Sequence, residues 1–255
     1  MSTKETNNSV ITSGSFSESS LAWTGERFVP HVTGNVALEH LHRYAFACEL
    51  AAGKTVLDIA CGEGYGSAML ARVAKHVIGV DIAREVIEHA ASKYRRTNLE
   101  FRIGSCAEIP VADSSVDLVV SFETIEHHDQ HEAMMAEIKR VLTPNGVLII
   151  SSPDKYEYSV APNYRNPFHV KELFRHEFER LIKAYFRHMA IYGQRVVYGS
   201  AIFPDGAVDL LVTYPAVGED RDAVPGLSRP IYLIAVASDA TLRTQPAWWR
   251  DWALP

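Results

Sequence analysis

The chain has 255 residues, 47% of them hydrophobic, and a formal net charge of −6. That is apolar material for one sizeable core, so one main domain is expected, and the acidic balance argues against a general nucleic-acid binder, which needs a basic face. Three scattered cysteines, Cys48, Cys61 and Cys106, show no CxxC spacing. They point to neither disulfides nor structural zinc and fit a reducing cytoplasm.

Residues 1–20 are rich in Ser, Thr and Asn and lack a basic stretch followed by an apolar one. The expectation is a mobile tail, neither signal peptide nor membrane span. In VALEHLHRYAFACELA, Val36, Leu38, Leu41, Tyr44, Ala45 and Leu50 recur at threes and fours, which predicts an amphipathic helix lying over a ligand pocket.

Residues 56–66, VLDIACGEGYG, are the most informative stretch. A short apolar run ending in a small-residue turn describes a buried parallel strand that delivers the chain to a helix. Gly62, Gly64 and Gly66 allow backbone to approach a bound molecule closely. Dinucleotide enzymes also place a glycine turn here, but the third glycine follows the second by two residues, and Asp58 stands where a pyrophosphate would be repelled. The pocket therefore suits a cofactor with a cationic end and no phosphates. A second apolar run, His76 to Val80, closes on Asp81, nineteen residues after Gly62. A carboxylate at that strand tip is placed to accept both hydroxyls of a ribose.

Strands are predicted near 54–60, 76–81, 99–103, 116–122 and 146–152, with helices near 65–74, 84–95 and 130–142 between them. Such alternation demands right-handed crossovers and a doubly wound, mostly parallel α/β sheet. A further helix is predicted over 171–186, and strands around 187–198 and 230–238. Residues 199–229, punctuated by Pro and Gly, read as a long loop, and PAWWRDWALP gathers Trp248, Trp249 and Trp252 in a C-terminal tail, 241–255. Those indoles can pack back on the domain, join a dimer, stack on sugars or meet a membrane surface.

In order along the chain, the glycine turn, Asp81, FRIGSCAEIPVADSSVDLVVSFETIEHH and EIKRVLTPNGVLIISSPDK resemble the class I S-adenosylmethionine (SAM) methyltransferases. The resemblance covers about residues 37–198. It implies a Rossmann-like sheet of seven strands with the last one antiparallel, a methyltransferase domain over 21–240, and SAM as cofactor. Carried over residue by residue, Asp58 orders the loop and the methionine end, and Ala60, Gly62 and Gly64 form the loop that approaches the cofactor. Asp81 holds the ribose, Ile82 and Cys106 flank the adenine, Ser105 stands where many relatives have an aspartate, and Ser121 meets the amino group through its backbone. Arg43, or Arg27, is expected to pair with the cofactor carboxylate.

In SFETIEHHDQ, Glu123, Glu126 and His127 stand at i, i+3 and i+4, which puts them on one face if the chain turns helical straight after the fourth strand. With His169 from PNYRNPFHVKEL, this set resembles the magnesium site of small-RNA 2′-O-methyltransferases, and the ExxEH part resembles ubiquinone-pathway O-methyltransferases. Mixed oxygen and imidazole ligands suit Mg²⁺, Mn²⁺ or Fe²⁺ better than structural zinc. An ion chelating two adjacent hydroxyls would favour the alkoxide of one, with His128 as first candidate general base and His127 and His169 as the other candidate catalytic imidazoles. The plain alternative is an ion-paired helix start with no metal.

TGERFVP, EHLHRYAFA, CGEGYGS and NPFHVKEL are similar to methyltransferases of bacterial surface-glycan assembly. The resemblance implies a carbohydrate or glycolipid acceptor, in company with a glycosyltransferase or as a homo-oligomer, with at most peripheral membrane contact and no nucleic-acid partner. Two other readings stay open: a metal-free methyltransferase of a small metabolite, and a SAM-binding module without activity.

Overall fold

The computed structural model describes residues 28–197, 212–213, 224–225, 227 and 229–242. The predicted N-terminal tail, Arg27, residues 243–255 of the predicted C-terminal tail with its three tryptophans, and most of 199–229 lie outside them.

Nine strands and five helices are described: α1 (Asn35–Ala51), β1 (Thr55–Ile59), α2 (Tyr65–Leu70), β2 (His76–Asp81), α3 (Arg84–Lys93), β3 (Leu99–Ile103), β4 (Val116–Ser121), α4 (His131–Val141), β5 (Leu142–Pro153), α5 (Arg175–Tyr185), β6 (His188–Gln194), β7 (Val212–Thr213), β8 (Val224–Pro225) and β9 (Tyr232–Ser238). Seven strands form one sheet in the order β3-β2-β1-β4-β5-β9-β6, and β7 pairs with β8 alone. Neighbours from β3 to β5 run parallel, while β9 is antiparallel to both β5 and β6. The seven-stranded doubly wound sheet and its reversed last strand match the fold expected from the sequence.

Strand periodicity explains the two-sided core. In β1, Val56 packs to one face while Leu57 and Ile59 pack to the other, and in β9 Ile234 and Val236 oppose Leu233, Ala235 and Ala237. Both faces are covered by helices, as parallel strands require. Met134, Met135 and Ile138 of α4 and Phe178 and Ile182 of α5 close one face; Tyr44 and Ala47 of α1 and Leu70 of α2 close the other. Each large apolar side chain so buried contributes roughly 1.5–3 kcal/mol.

Helix α1 turns a different face inward from the one its apolar periodicity predicts. Val36, Leu38 and Leu41 are exposed, whereas Glu39, Arg43, Tyr44, Ala47 and Ala51 are buried. The cause is a polar partnership: Arg43 Nη1 donates to Gln194 Oε1 at 2.8 Å, and Gln194 Nε2 donates to the Glu39 carbonyl at 3.0 Å. The helix expected from residue 171 begins at Arg175, because residues 154–174 take their own path, with a π-helix at Tyr156–Val160 and a bridge between Asp154 and Leu173. Strand order reverses between β1 and β4, so the crevice outside their carboxyl ends is where a ligand belongs.

Candidate active site

A cavity of about 570 Å³ opens at that crevice, walled by the glycine turn, the N-terminal half of α1, the residues after β4, and Tyr158, Asn166 and His169 of the excursion before α5. Among the described residues no lysine or arginine lines it, while Glu39, Asp81, Glu123, Glu126 and Asp129 do. A wall with more acids than cations favours a cationic group and disfavours a diphosphate.

The glycine turn is shaped by three separate demands. Ala60 and Gly62, at φ 57 and 56, carry left-handed backbone along the cavity wall. Gly64, at φ 92, faces away from the cavity: a Cβ there would lie 2.8 Å from Ala90 Cβ and 3.0 Å from the Phe101 ring. Gly66 lets α2 meet α1, since its Cβ would stand 2.0 Å from the Tyr44 ring. Gly64, expected in the loop that approaches the cofactor, does not line the cavity, and Ala90 and Phe101 fill the space a side chain there would need. Asp81 ties the strand tips together. Its Oδ2 accepts the Gly62 N–H at 2.9 Å and its Oδ1 the Ala83 N–H at 3.0 Å, and it lines the cavity.

Asp58 does not reach the cavity. It is fully buried beneath the turn, accepting from Ser67 Oγ at 2.6 Å and from the Tyr44 hydroxyl at 3.1 Å. Burial pushes its carboxyl up to about 7, against the pull of those two hydrogen bonds. It therefore acts through Tyr44 and Ser67, which fix α1 and α2 to the turn, and repels a pyrophosphate less than a full carboxylate would.

Ile82, Ser105 and Cys106 line the cavity where the adenine end was expected. The Ser105 oxygen already accepts the Ala107 N–H at 3.1 Å. Ser121 is fully buried with its hydroxyl unpartnered and does not line the cavity; Phe122, Glu123 and Thr124 form that wall instead. Arg43, expected to meet the cofactor carboxylate, is 1% exposed and absent from the wall. It lies 3.7 Å from Glu123 Oε1 and over the Tyr232 ring, because a buried guanidinium takes the nearest buried acceptors.

Glu123, Glu126 and His127 do not share one helical face. Glu123 adopts φ 50, and only Ile125–His127 form a short 3₁₀ turn. Ser151 holds Glu123 in that strained conformation, accepting its N–H at 3.0 Å and donating to Oε1 at 2.6 Å. The acid is thus committed to Ser151 and Arg43. One ligand atom each of Glu126, His127 and His169 lies within 4.8 Å of the others, so three of the four expected metal ligands come together. Glu126 is 1% exposed, its Oε2 has no hydrogen-bond partner, and burial with help from Glu123 raises its carboxyl well above the usual range. A buried orphan acceptor beside two imidazoles is a donor set that fits a divalent cation.

His128 lines the cavity but is poorly set as a base. Its Nδ1 accepts the Gln130 N–H at 3.1 Å, which leaves the ring proton on Nε2, 3.4 Å from Cys106 Sγ and 3.3 Å from Met134 Sδ. Burial also lowers its affinity for a second proton. His169 is better placed: Nδ1 faces Glu172 Oε1 at 2.6 Å.

Sequence reasoning missed His40, Tyr65, Tyr158, Asn166, Glu172 and Tyr232. His40 sits in the predicted covering helix, hydrogen-bonded to the Tyr65 hydroxyl at 3.0 Å and held neutral by burial, its pKa lowered to about 3. Tyr158 follows from the π-helix, which carries no sequence signature of its own.

Residues 57–150 match the family described as a methyltransferase domain. A probable SAM-dependent methyltransferase of Mycolicibacterium smegmatis is 37% identical over 168 residues, covering 65% of each chain. A protein of the same description from Mycobacterium tuberculosis H37Rv is 35% identical over 165 residues, covering 64% of this chain and 60% of that one. The chain thus spans less than two thirds of these relatives. The YcgJ protein of Bacillus subtilis superposes at a TM-score of 0.56 with 20% identity, over 79% of this chain and all of that one; a SAM-dependent methyltransferase of Thermotoga maritima does so at 0.51 with 19% identity, over 79% and 92%. At those identities the structures speak for the fold. Residues 57–150 are thus similar to a methyltransferase domain, set in a fold shared with solved SAM-dependent methyltransferases, and S-adenosylmethionine is the cofactor that this likeness indicates.

Proposed function

We propose that the chain is a metal-assisted O-methyltransferase that moves the SAM methyl group to a sugar hydroxyl of a bacterial surface polysaccharide or glycolipid precursor. The observation that carries this reading is the Glu126, His127 and His169 set, open to the same cavity as the glycine turn. The mycobacterial relatives, named as SAM-dependent methyltransferases, support methyl transfer. The glycan acceptor rests on the TGERFVP, EHLHRYAFA and NPFHVKEL motifs, and the five cavity carboxylates favour a neutral acceptor rich in hydroxyl donors over a phosphorylated one.

A sulfonium methyl is already activated, so the protein's tasks are in-line placement and removal of the acceptor proton. Ala60, Gly62 and Asp81 orient the donor, and Tyr158, Tyr232 and Asn166 border the acceptor side. Glu126, His127 and His169 would hold the ion, which polarises an acceptor hydroxyl. A second, metal-free reading is favoured by the His169 and Glu172 pair at 2.6 Å, in which His169 Nε2 takes the acceptor proton directly.

Chelation separates the two. Labelled SAM is incubated with host lipopolysaccharide extract or a glycan library, with and without EDTA, and the label is located. Turnover is expected to vanish with EDTA and return with Mg²⁺ or Mn²⁺, while SAM binding persists. Full activity after thorough chelation would transfer the assignment to the His169 and Glu172 pair.

A further inference from the structure

We propose that Glu172 is a positioning residue that locks His169 in the tautomer whose Nε2 lone pair serves the Glu126, His127 and His169 set; this rests on the metal reading above. A neutral imidazole has one donor and one acceptor nitrogen, and which is which follows from its partners. Glu172 Oε1 accepts from His169 Nδ1 at 2.6 Å and from Ser159 Oγ at 2.8 Å. The His169 and Glu172 side chains are only 7% and 9% exposed, so water does not readily replace either partner.

The other side of the ring agrees. Asn166 Nδ2 donates to His169 Nε2 at 3.1 Å, and the amide's orientation is fixed because its Oδ1 accepts the Phe168 N–H at 3.0 Å. Nε2 is therefore the acceptor and Nδ1 the donor. The ring plane is set too: Tyr158 stacks on it at 5.2 Å and 25°, and His127 meets it edge-on at 5.2 Å and 84°. A carboxylate on the far nitrogen of a ligating histidine fixes its orientation and raises its basicity, and losing it costs roughly 10–100-fold in metal affinity. Asn166 has the opposite effect, since its N–H competes for the lone pair that an ion would use.

The test is Mn²⁺ binding to purified full-length protein, followed by the electron paramagnetic resonance of free Mn²⁺, with no turnover involved. Glu172→Ala is expected to weaken binding about 10–100-fold and Glu172→Gln by less, because the amide oxygen still accepts without charge. Asn166→Ala, which cuts bonds to Tyr158 and Phe168 in the same segment, is expected to bind Mn²⁺ at least as tightly as wild type. SAM affinity stays level throughout. Wild-type Mn²⁺ binding in Glu172→Ala, with His169→Ala impaired, would overturn the Glu172 role alone. Equal losses in Asn166→Ala and Glu172→Ala would mean general loosening of the segment and also overturn it. Unchanged binding in both His169→Ala and Glu126→Gln, or none in wild type, would sink the metal reading and this proposal with it.

Discussion

His169 and His128 are both imidazoles at the cavity wall, and their hydrogen bonds, not their positions in the chain, separate their chemistry. A base needs a free lone pair aimed at its substrate. In His128 the pair on Nδ1 is taken by the Gln130 backbone and Nε2 faces two sulfurs, whereas His169 has its Nδ1 anchored on Glu172 and its Nε2 pair held only by the Asn166 side-chain amide, which a substrate hydroxyl can displace. His128→Ala is accordingly expected to lower kcat less than about tenfold, and His169→Ala roughly 10²–10⁴-fold, in single-turnover assays at saturating SAM. The reverse order would reinstate His128. Asp58 gives a second residue-scale prediction, on stability. Its carboxyl rises to about 7 on burial, so the folded chain holds that proton more tightly than the unfolded one. The linked stability is fully present below the unfolded pKa near 4 and is lost as pH climbs through 7. Asp58→Asn should flatten the unfolding free energy over that window by up to about 4 kcal/mol relative to wild type; parallel urea-melt curves for the two proteins would contradict the raised pKa.

At the scale of elements, α1 and α2 touch where Gly66 meets Tyr44, and the fit is tight enough to test. A Cβ at residue 66 would stand 2.0 Å from the ring, so Gly66→Ala forces the helices apart, at a cost of about 1–3 kcal/mol. In a Tyr44→Leu background the same change should cost much less, a coupling that a double-mutant cycle of thermal or urea unfolding would register. The same contact shows why some of the molecule was legible in sequence and some was not. Runs such as VLDIA and HVIGVD declare buried parallel strands by composition alone, and the carboxylate at a strand tip declares a site. The α1 face was misread because Arg43 and Glu39 look like solvent-facing residues until Gln194, about 150 positions away, supplies their partner. The Glu126, His127 and His169 grouping was legible as a set of ligand types, but its geometry was not. Helical spacing implied one face, and the Ser151 bond that twists Glu123 out of it comes from a neighbouring strand.

For the whole molecule, the sheet's reversal between β1 and β4 creates one crevice that must serve donor and acceptor alike, and its charge decides which donors enter. Asp58 contributes little to that choice, being buried beneath the turn with its carboxyl pushed up to about 7. The selection comes from the wall itself, where Glu39, Asp81, Glu123, Glu126 and Asp129 face the cavity; Arg43 behind the wall offsets Glu123, and burial raises the carboxyls of Glu39 and Glu126, so the field is acidic but smaller than five full charges. A sulfonium gains from that field and a diphosphate loses. Ligand-linked stability measures the difference, because a molecule that binds only the folded chain stabilises it by about 2.7 kcal/mol at a hundred times its Kd, and each kcal/mol moves Tm by roughly 2–4 °C in a chain of this size. SAM is therefore expected to raise Tm by several degrees, and NAD⁺ at the same concentration to leave it in place. Equal stabilisation by NAD⁺ would mean that the crevice tolerates phosphates, and that the carboxylate wall does not select the donor.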